Sequence, residues 1–202
     1  MARRTFFSFH YQADVWRAMN VRNCWIPKPT EERAEGFWDS SVFEASKRQS
    51  VDALKRFLRE GLENTSVTCV LAGTHTYIRR WVRYEIARSV IRGNGILTVF
   101  IHGIRDREGA SATKGPDPLD FMGFYRSGDD QKIYLCEYSG DKWIKYEDYA
   151  LAIPENDLVF EAPISNTVVK LSKHYLAYDF TGQNGRDNIG GWIETAAGMV
   201  GR

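Results

Sequence analysis

The segment YIRRWVRYEI, Tyr77 to Ile86, sets a tryptophan and a carboxylate four positions apart among Arg79, Arg80 and Arg83. On a helix that spacing places Trp81 and Glu85 side by side on one face. Two kinds of chemistry fit. Glu85 can be the anionic partner of the arginines on a solvated surface, a pair worth roughly 0.2–0.5 kcal/mol. Alternatively, it is a partly desolvated carboxylate beside an aromatic wall, placed to stabilise positive charge that develops in a reaction. Ile78, Val82, Ile86 and Val90 recur every four residues and mark the apolar stripe. Trp81 and Glu85 then lie on its flank, neither fully in nor fully out. Spacing alone favours the arginine pair and leaves the choice open.

Other constellations are missing. The chain has no GxSxG elbow, no HExxH and no GxGxxG after its first strand. His10, His75, His102 and His174 show no metal-ligand spacing, so no metal site is expected. His10 and His102 do follow predicted strands, at the sheet edge where open α/β folds bind ligands. Cys24, Cys69 and Cys136 are odd in number and widely spaced, which fits reduced thiols better than disulfides or a zinc knuckle. The glycines of GQNGRDNIGG precede no GK[ST] and read as a loop.

The elements that must position these groups alternate. TFFSF (Thr5 to Phe9), VTCVLAG (Val67 to Gly73) and ILTVFIHG (Ile96 to Gly103) are unbroken apolar runs, the mark of strands buried on both faces. DVWRAMNVRN reads as a helix with Asp14 at its start. EASKRQSVDALKRFLREGL is a clearer one, with Val51, Leu54, Phe57, Leu58 and Leu62 on one stripe and Gly61 near its end. THTYIRRWVRYEIARSVIRG is the next, capped by Thr74 or Thr76 and stopped by Gly93 or Gly95. The prolines and charges of Pro27 to Ser41 indicate a loop. Together these predict a small doubly wound α/β domain with a parallel sheet, flavodoxin-like in build. A single domain spans 1–202, with its core at about 1–103. An insertion at about 104–150 contains a hairpin turning at Ser-Gly-Asp, and an elaboration at about 151–202 has KLSKHYLAYDF as a helix and a last short helix at the end.

Composition excludes other classes. Lys and Arg number 27 against 26 Asp and Glu, so the whole chain has no electrostatic pull toward nucleic acid or an anionic membrane. No run nears the roughly 20 apolar residues of a membrane span, and MARRTFFSFHYQADVW lacks the apolar core of a signal peptide. A cytoplasmic protein is expected.

Three blocks carry a family resemblance. TFFSFHYQAD resembles the first box of TIR domains, and YIRRWVRYEI resembles their third helix, whose pattern is Trp-Cys-x-x-Glu. Here these positions are Trp81, Val82 and Glu85, with valine replacing cysteine; the stretch 27–41 does not match the usual BB-loop motif. FFSFHYQ, NTSVTCVLAGTHTYIRRWVRYEI and KGPDPLDFMGF together resemble the TIR-like proteins of the Thoeris anti-phage system, through nearly the whole chain. That resemblance implies cleavage of the nicotinamide glycosidic bond of NAD, which is then substrate and not cofactor, and cyclisation of the ADP-ribose part. It implies Glu85 as the catalytic carboxylate, with Ser8, Phe9, His10, Tyr11 and Trp81 lining the NAD pocket. The partner it implies is a separate nucleotide-sensing, NAD-depleting effector reached through the diffusible product. Homo-oligomerisation is left open, and so is a non-catalytic role in TIR-type assembly. A flavin-binding role is the weaker competitor.

Overall fold

The computed structural model describes residues 3–25 and 50–202; the stretch Pro27 to Ser41 and the part of the helix expected over EASKRQSVDALKRFLREGL that precedes Ser50 lie outside them. Strand β1 (Thr5–Phe9), helix α1 (Tyr11–Trp25), helix α2 (Val51–Leu62), strand β2 (Val67–Ala72), helix α3 (Arg80–Ile91) and strand β3 (Gly95–Phe100) follow in chain order. Every residue of β2 and β3 is buried, as are Thr5 to Ser8 of β1. The apolar runs thus have the double cover that their composition predicts. Helix α2 is N-capped by Ser50, whose hydroxyl accepts the Ala53 N–H at 3.0 Å. It buries Leu54, Leu58 and Leu62, while Val51 in its first turn is exposed.

Helix α3 begins later than the sequence suggests. Thr76–Ile78 form one 3-10 turn, Arg79 is extended (φ −83°, ψ 116°), and the α-helix starts at Arg80. Thr76 does not cap a helix. Its hydroxyl accepts the Gly73 N–H at 2.9 Å and donates to Asp14 Oδ2 at 3.4 Å, tying the end of β2 to α1. Ile78 therefore leaves the apolar stripe and is exposed, while Val82, Ile86 and Val90 are buried. Gly93, at φ +65°, ends the helix as expected.

The stretch read as an insertion and the residues after it build a second sheet. Strands β4 (Met122–Arg126), β5 (Ile133–Ser139), β6 (Lys142–Lys145) and β7 (Val168–Lys170) form an antiparallel sheet in the order β6-β5-β4-β7. The expected hairpin is β5–β6, and its turn residues Gly140 and Asp141 both have positive φ, +56° and +60°, as a type I′ turn requires. Met122, Phe124 and Leu135 of this sheet share one buried cluster with Val82, Ile86 and Ile96.

KLSKHYLAYDF is not a helix. It is one 3-10 turn (Leu171–Lys173) followed by strand β8 (Leu176–Asp179), which pairs in parallel with β3. Leu171 and Tyr175, four apart, look helical in sequence because both point into the cluster shared with the second sheet. Helix α4 (Gly185–Gly198) starts inside the glycine-rich stretch read as a loop, after Asn184 in the left-handed conformation. The first sheet has the order β1-β2-β3-β8, all parallel. Helices α1 and α4 cover one face through Ala18, Val21, Ile189 and Ile193, and α3, backed by α2, covers the other. This is the doubly covered parallel α/β sheet that the sequence predicts.

Candidate functional site

Strand alternation decides what β1 contributes. Phe7 packs on the α1/α4 side, with half-buried Phe9 against the same cluster. Ser8 faces the other way, in register with Val70 of β2, which belongs to the α3-side cluster. There the Ser8 hydroxyl donates to Glu85 Oε2. Glu85 is 7% exposed, so it is buried and not on the flank expected from the helical stripe. Burial pushes its carboxyl up to about 8, against the opposing effect of the Ser8 hydrogen bond.

Two arginines of the same segment, Arg80 and Arg83, serve other carboxylates. Arg80 donates through Nε and Nη2 to Asp148, both at 2.9 Å, and Arg83 pairs with Glu137 and donates to the Tyr77 carbonyl at 3.0 Å. Arginines therefore do not explain Glu85. Trp81 has different neighbours from Glu85: it packs on Leu54, Leu58 and Phe57 of α2 and meets Tyr84 edge-on at 6.1 Å. The structure brings Ser8 and Glu85 together and directs Trp81 toward α2 and Phe9 toward α1.

A hydroxyl seam fixes α3 on the sheet. Ser89 donates to the Glu85 carbonyl at 2.7 Å, and its Oγ lies 2.7 Å from Thr68 Oγ1. All the parallel strands end at one edge, where His10 follows β1, Gly73 follows β2, and His102 lies just beyond β3. His10 has its pKa lowered by burial and then by the charges of Arg79 and His75, so it is neutral at pH 7. Its Nδ1 is buried without a hydrogen-bond partner, and the Nε of Arg79 is in the same condition. Tyr11, the first residue of α1, is half-buried with its ring 6.2 Å from Phe9.

Three of these residues escape the sequence reading. Arg79 looks like one more helical arginine until the helix is seen to start after it. Asp14 is 3% exposed and sits against Gly73, where a Cβ would come within 2.3 Å of its carboxylate. Burial raises its pKa. The third is Asp117, in the stretch read as an insertion. It accepts from Thr98 Oγ1 at 2.7 Å and from the Leu119 N–H at 3.0 Å, with its pKa raised by burial. A signal for Asp14 exists in the adjacent Gly73, but nothing in sequence spacing links the two. Among the described residues, no group of His, Cys, Asp and Glu could hold a metal ion, and no helix is long and apolar enough to cross a membrane.

A parallel α/β sheet whose first strand bonds a buried helical glutamate near its carboxyl edge defines a TIR-like domain. The family model described as Thoeris protein ThsB, TIR-like domain, matches residues 6–106, and the chain belongs to that family. A protein of Bacillus cereus (strain MSX-D12), given the provisional name cyclic ADP-D-ribose synthase ThsB1, is similar to this chain. The two are 41% identical over 194 residues, which covers 96% of this chain and 100% of the relative.

Proposed function

We propose that the protein cleaves the bond between nicotinamide and ribose in NAD and closes the remaining ADP-ribose into a cyclic nucleotide. The observation that carries this reading is the buried Glu85 carboxyl, held by Ser8 and left unpaired by every arginine of its own helix. The name of the Bacillus cereus relative supports the cyclic product.

The chemistry follows from charge. Nicotinamide leaves NAD as a neutral base and takes the bonding electron pair, so no general acid is needed. The ribose carbon becomes oxocarbenium-like, as in glycoside cleavage. A carboxylate beside it stabilises that charge at the moment it appears. Glu85 is largely protonated at rest at pH 7, and the cationic nicotinamide riboside favours its ionised form. Because Ser8 occupies Oε2, Oε1 remains to face the ribose. A nucleophilic atom of the same nucleotide then captures the carbon and loses its proton, provided water is excluded. Neutral His10 and the guanidinium of Arg79 supply a hydrogen-bonding group and a cation for the rest of the dinucleotide. Tyr11 is the aromatic candidate at its margin, and Trp81 acts through its packing of α3 on α2. Phe9 acts through packing under Ser8.

The product acts on a separate nucleotide-sensing effector, so infected cells carrying this gene alone should show no protection. Glu85 is covered in this structure, so unstimulated protein should release nicotinamide slowly. The deciding experiment is mass spectrometry of nucleotides from cells expressing the wild type or Glu85→Gln, with and without phage. A cyclic ADP-ribose isomer that appears only with the wild type supports the reading. Equal amounts from both end it.

A further inference from the structure

Helices α2 and α3, with Arg92 at the C-cap of α3, carry seven basic side chains that divide into two groups. Lys55, Arg80 and Arg83 are paired, the first two with Asp148 and the third with Glu137. Arg56, Arg59, Arg88 and Arg92 make no ion pair among the described residues. Those four line one cleft of about 260 Å³ between the helices. Glu60 and Glu63 share the lining without pairing to them, so among the described residues four cations against two anions leave a net charge of +2. The arginines also sit at the spacings that place like charges next to each other, three apart on α2 and four apart on α3, which is unfavourable on an isolated helix.

Two of them are incomplete. The Nε of Arg88 and the Nε of Arg92 are buried without a hydrogen-bond partner. Arg59 and Arg88 lie in the last turns of their helices, where the helix dipole favours cations. That accounts for positive charge at these ends. It does not satisfy two buried N–H donors, each of which calls for an acceptor.

We infer that the cleft is an anion site for an oligophosphate chain, separate from the Glu85 site. Guanidinium forks match phosphate oxygens with paired N–H donors, and several forks facing one space suit several linked phosphates better than one. Among the described residues no aromatic side chain lines the cleft, so the phosphates and not a base are recognised. Free polyphosphate and the phosphate tail of a nucleotide share this chemistry.

The test is calorimetric titration of the full chain at low salt with tripolyphosphate, and in parallel with ATP and sulfate. Saturable binding of tripolyphosphate at millimolar or lower concentration is expected, falling with added salt. It should weaken roughly tenfold or more in the Arg88→Gln/Arg92→Gln double variant. The exposed pair Arg56→Gln/Arg59→Gln should weaken it too, which guards against a folding defect in the first variant. ATP binding as tightly as tripolyphosphate identifies the chain alone as the ligand. Tighter binding of ATP identifies a nucleotide source. Glu85→Gln should leave the affinity unchanged, so the result is independent of the NAD reading. Absence of saturable heat, sulfate binding as tightly as tripolyphosphate, or binding undiminished in both arginine pairs would overturn the site.

Discussion

At the scale of single residues the opening ambiguity comes down to one carboxyl. Glu85 bonds Ser8, and its ordinary pKa of 4.5 is raised to about 8 by burial. Between those values the folded protein keeps a proton that the unfolded chain has released. Stability contributed by this group is therefore complete below about pH 4.5 and is lost as pH rises through about 8. Glu85→Gln has no such proton to lose. Thermal melts from pH 5 to 9 should show the wild type falling relative to the variant by an amount on the order of a few kcal/mol. Parallel curves would mean that the carboxyl is not buried as described. In catalysis the sign is the opposite, because the ionised form is the working one. The kcat/KM for nicotinamide release by stimulated enzyme should rise with pH and level off above about 8. Glu85→Gln should cut it roughly 100-fold or more. A folded Gln variant with near wild-type turnover would leave Glu85 a structural residue.

At the scale of elements, close approaches of backbone position the site. Gly115 lies against the loop after β2, and a Cβ there would come within 2.4 Å of the Gly73 carbonyl oxygen and 2.5 Å of that of Thr74. Neither backbone group can rotate away. Gly115→Ala should therefore shift the Gly73–Thr76 turn, with an overpacking cost of about 1–3 kcal/mol. For a chain of this size that corresponds to a fall in Tm of roughly 2–12 °C. An unchanged Tm would show that the two loops do not touch. Contacts of this kind explain which elements the sequence makes legible. β1, β2 and β3 are unbroken apolar runs, and the β5–β6 turn has its Gly-Asp pair, so local composition is enough. The true start of α3 depends on Thr76 bonding Gly73 and Asp14, a contact across 62 positions of sequence. Strand β8 is hidden because Leu171 and Tyr175 mimic a helical period while serving a cluster built by the second sheet. For the site, alternation along β1 settles that Ser8 and Phe9 face opposite ways, yet only the packing of α3 shows that Ser8 meets Glu85.

At the scale of the whole molecule the two sheets share a core. Met122, Phe124 and Leu135 from the antiparallel sheet lie in one cluster with Val70, Val82, Ile86 and Ile96, and each is 0–2% exposed. The parallel sheet also takes its fourth strand, β8, from beyond the antiparallel one in the chain. Neither sheet can come apart without exposing the face of α3 opposite its contact with α2, the same helix that carries Glu85. The protein should therefore unfold in a single transition, with secondary structure, aromatic packing and activity lost together. Leu135→Ala tests this from the far side of the molecule. Leu135 is 0% exposed, and removing its side chain leaves a cavity at an expected cost of about 2–5 kcal/mol. The whole melting curve should move down, by roughly 2–4 °C for each kcal/mol, and heat inactivation of nicotinamide release should move with it. Separate transitions, with activity surviving the loss of the second sheet, would show that the parallel sheet and its α3 stand without it.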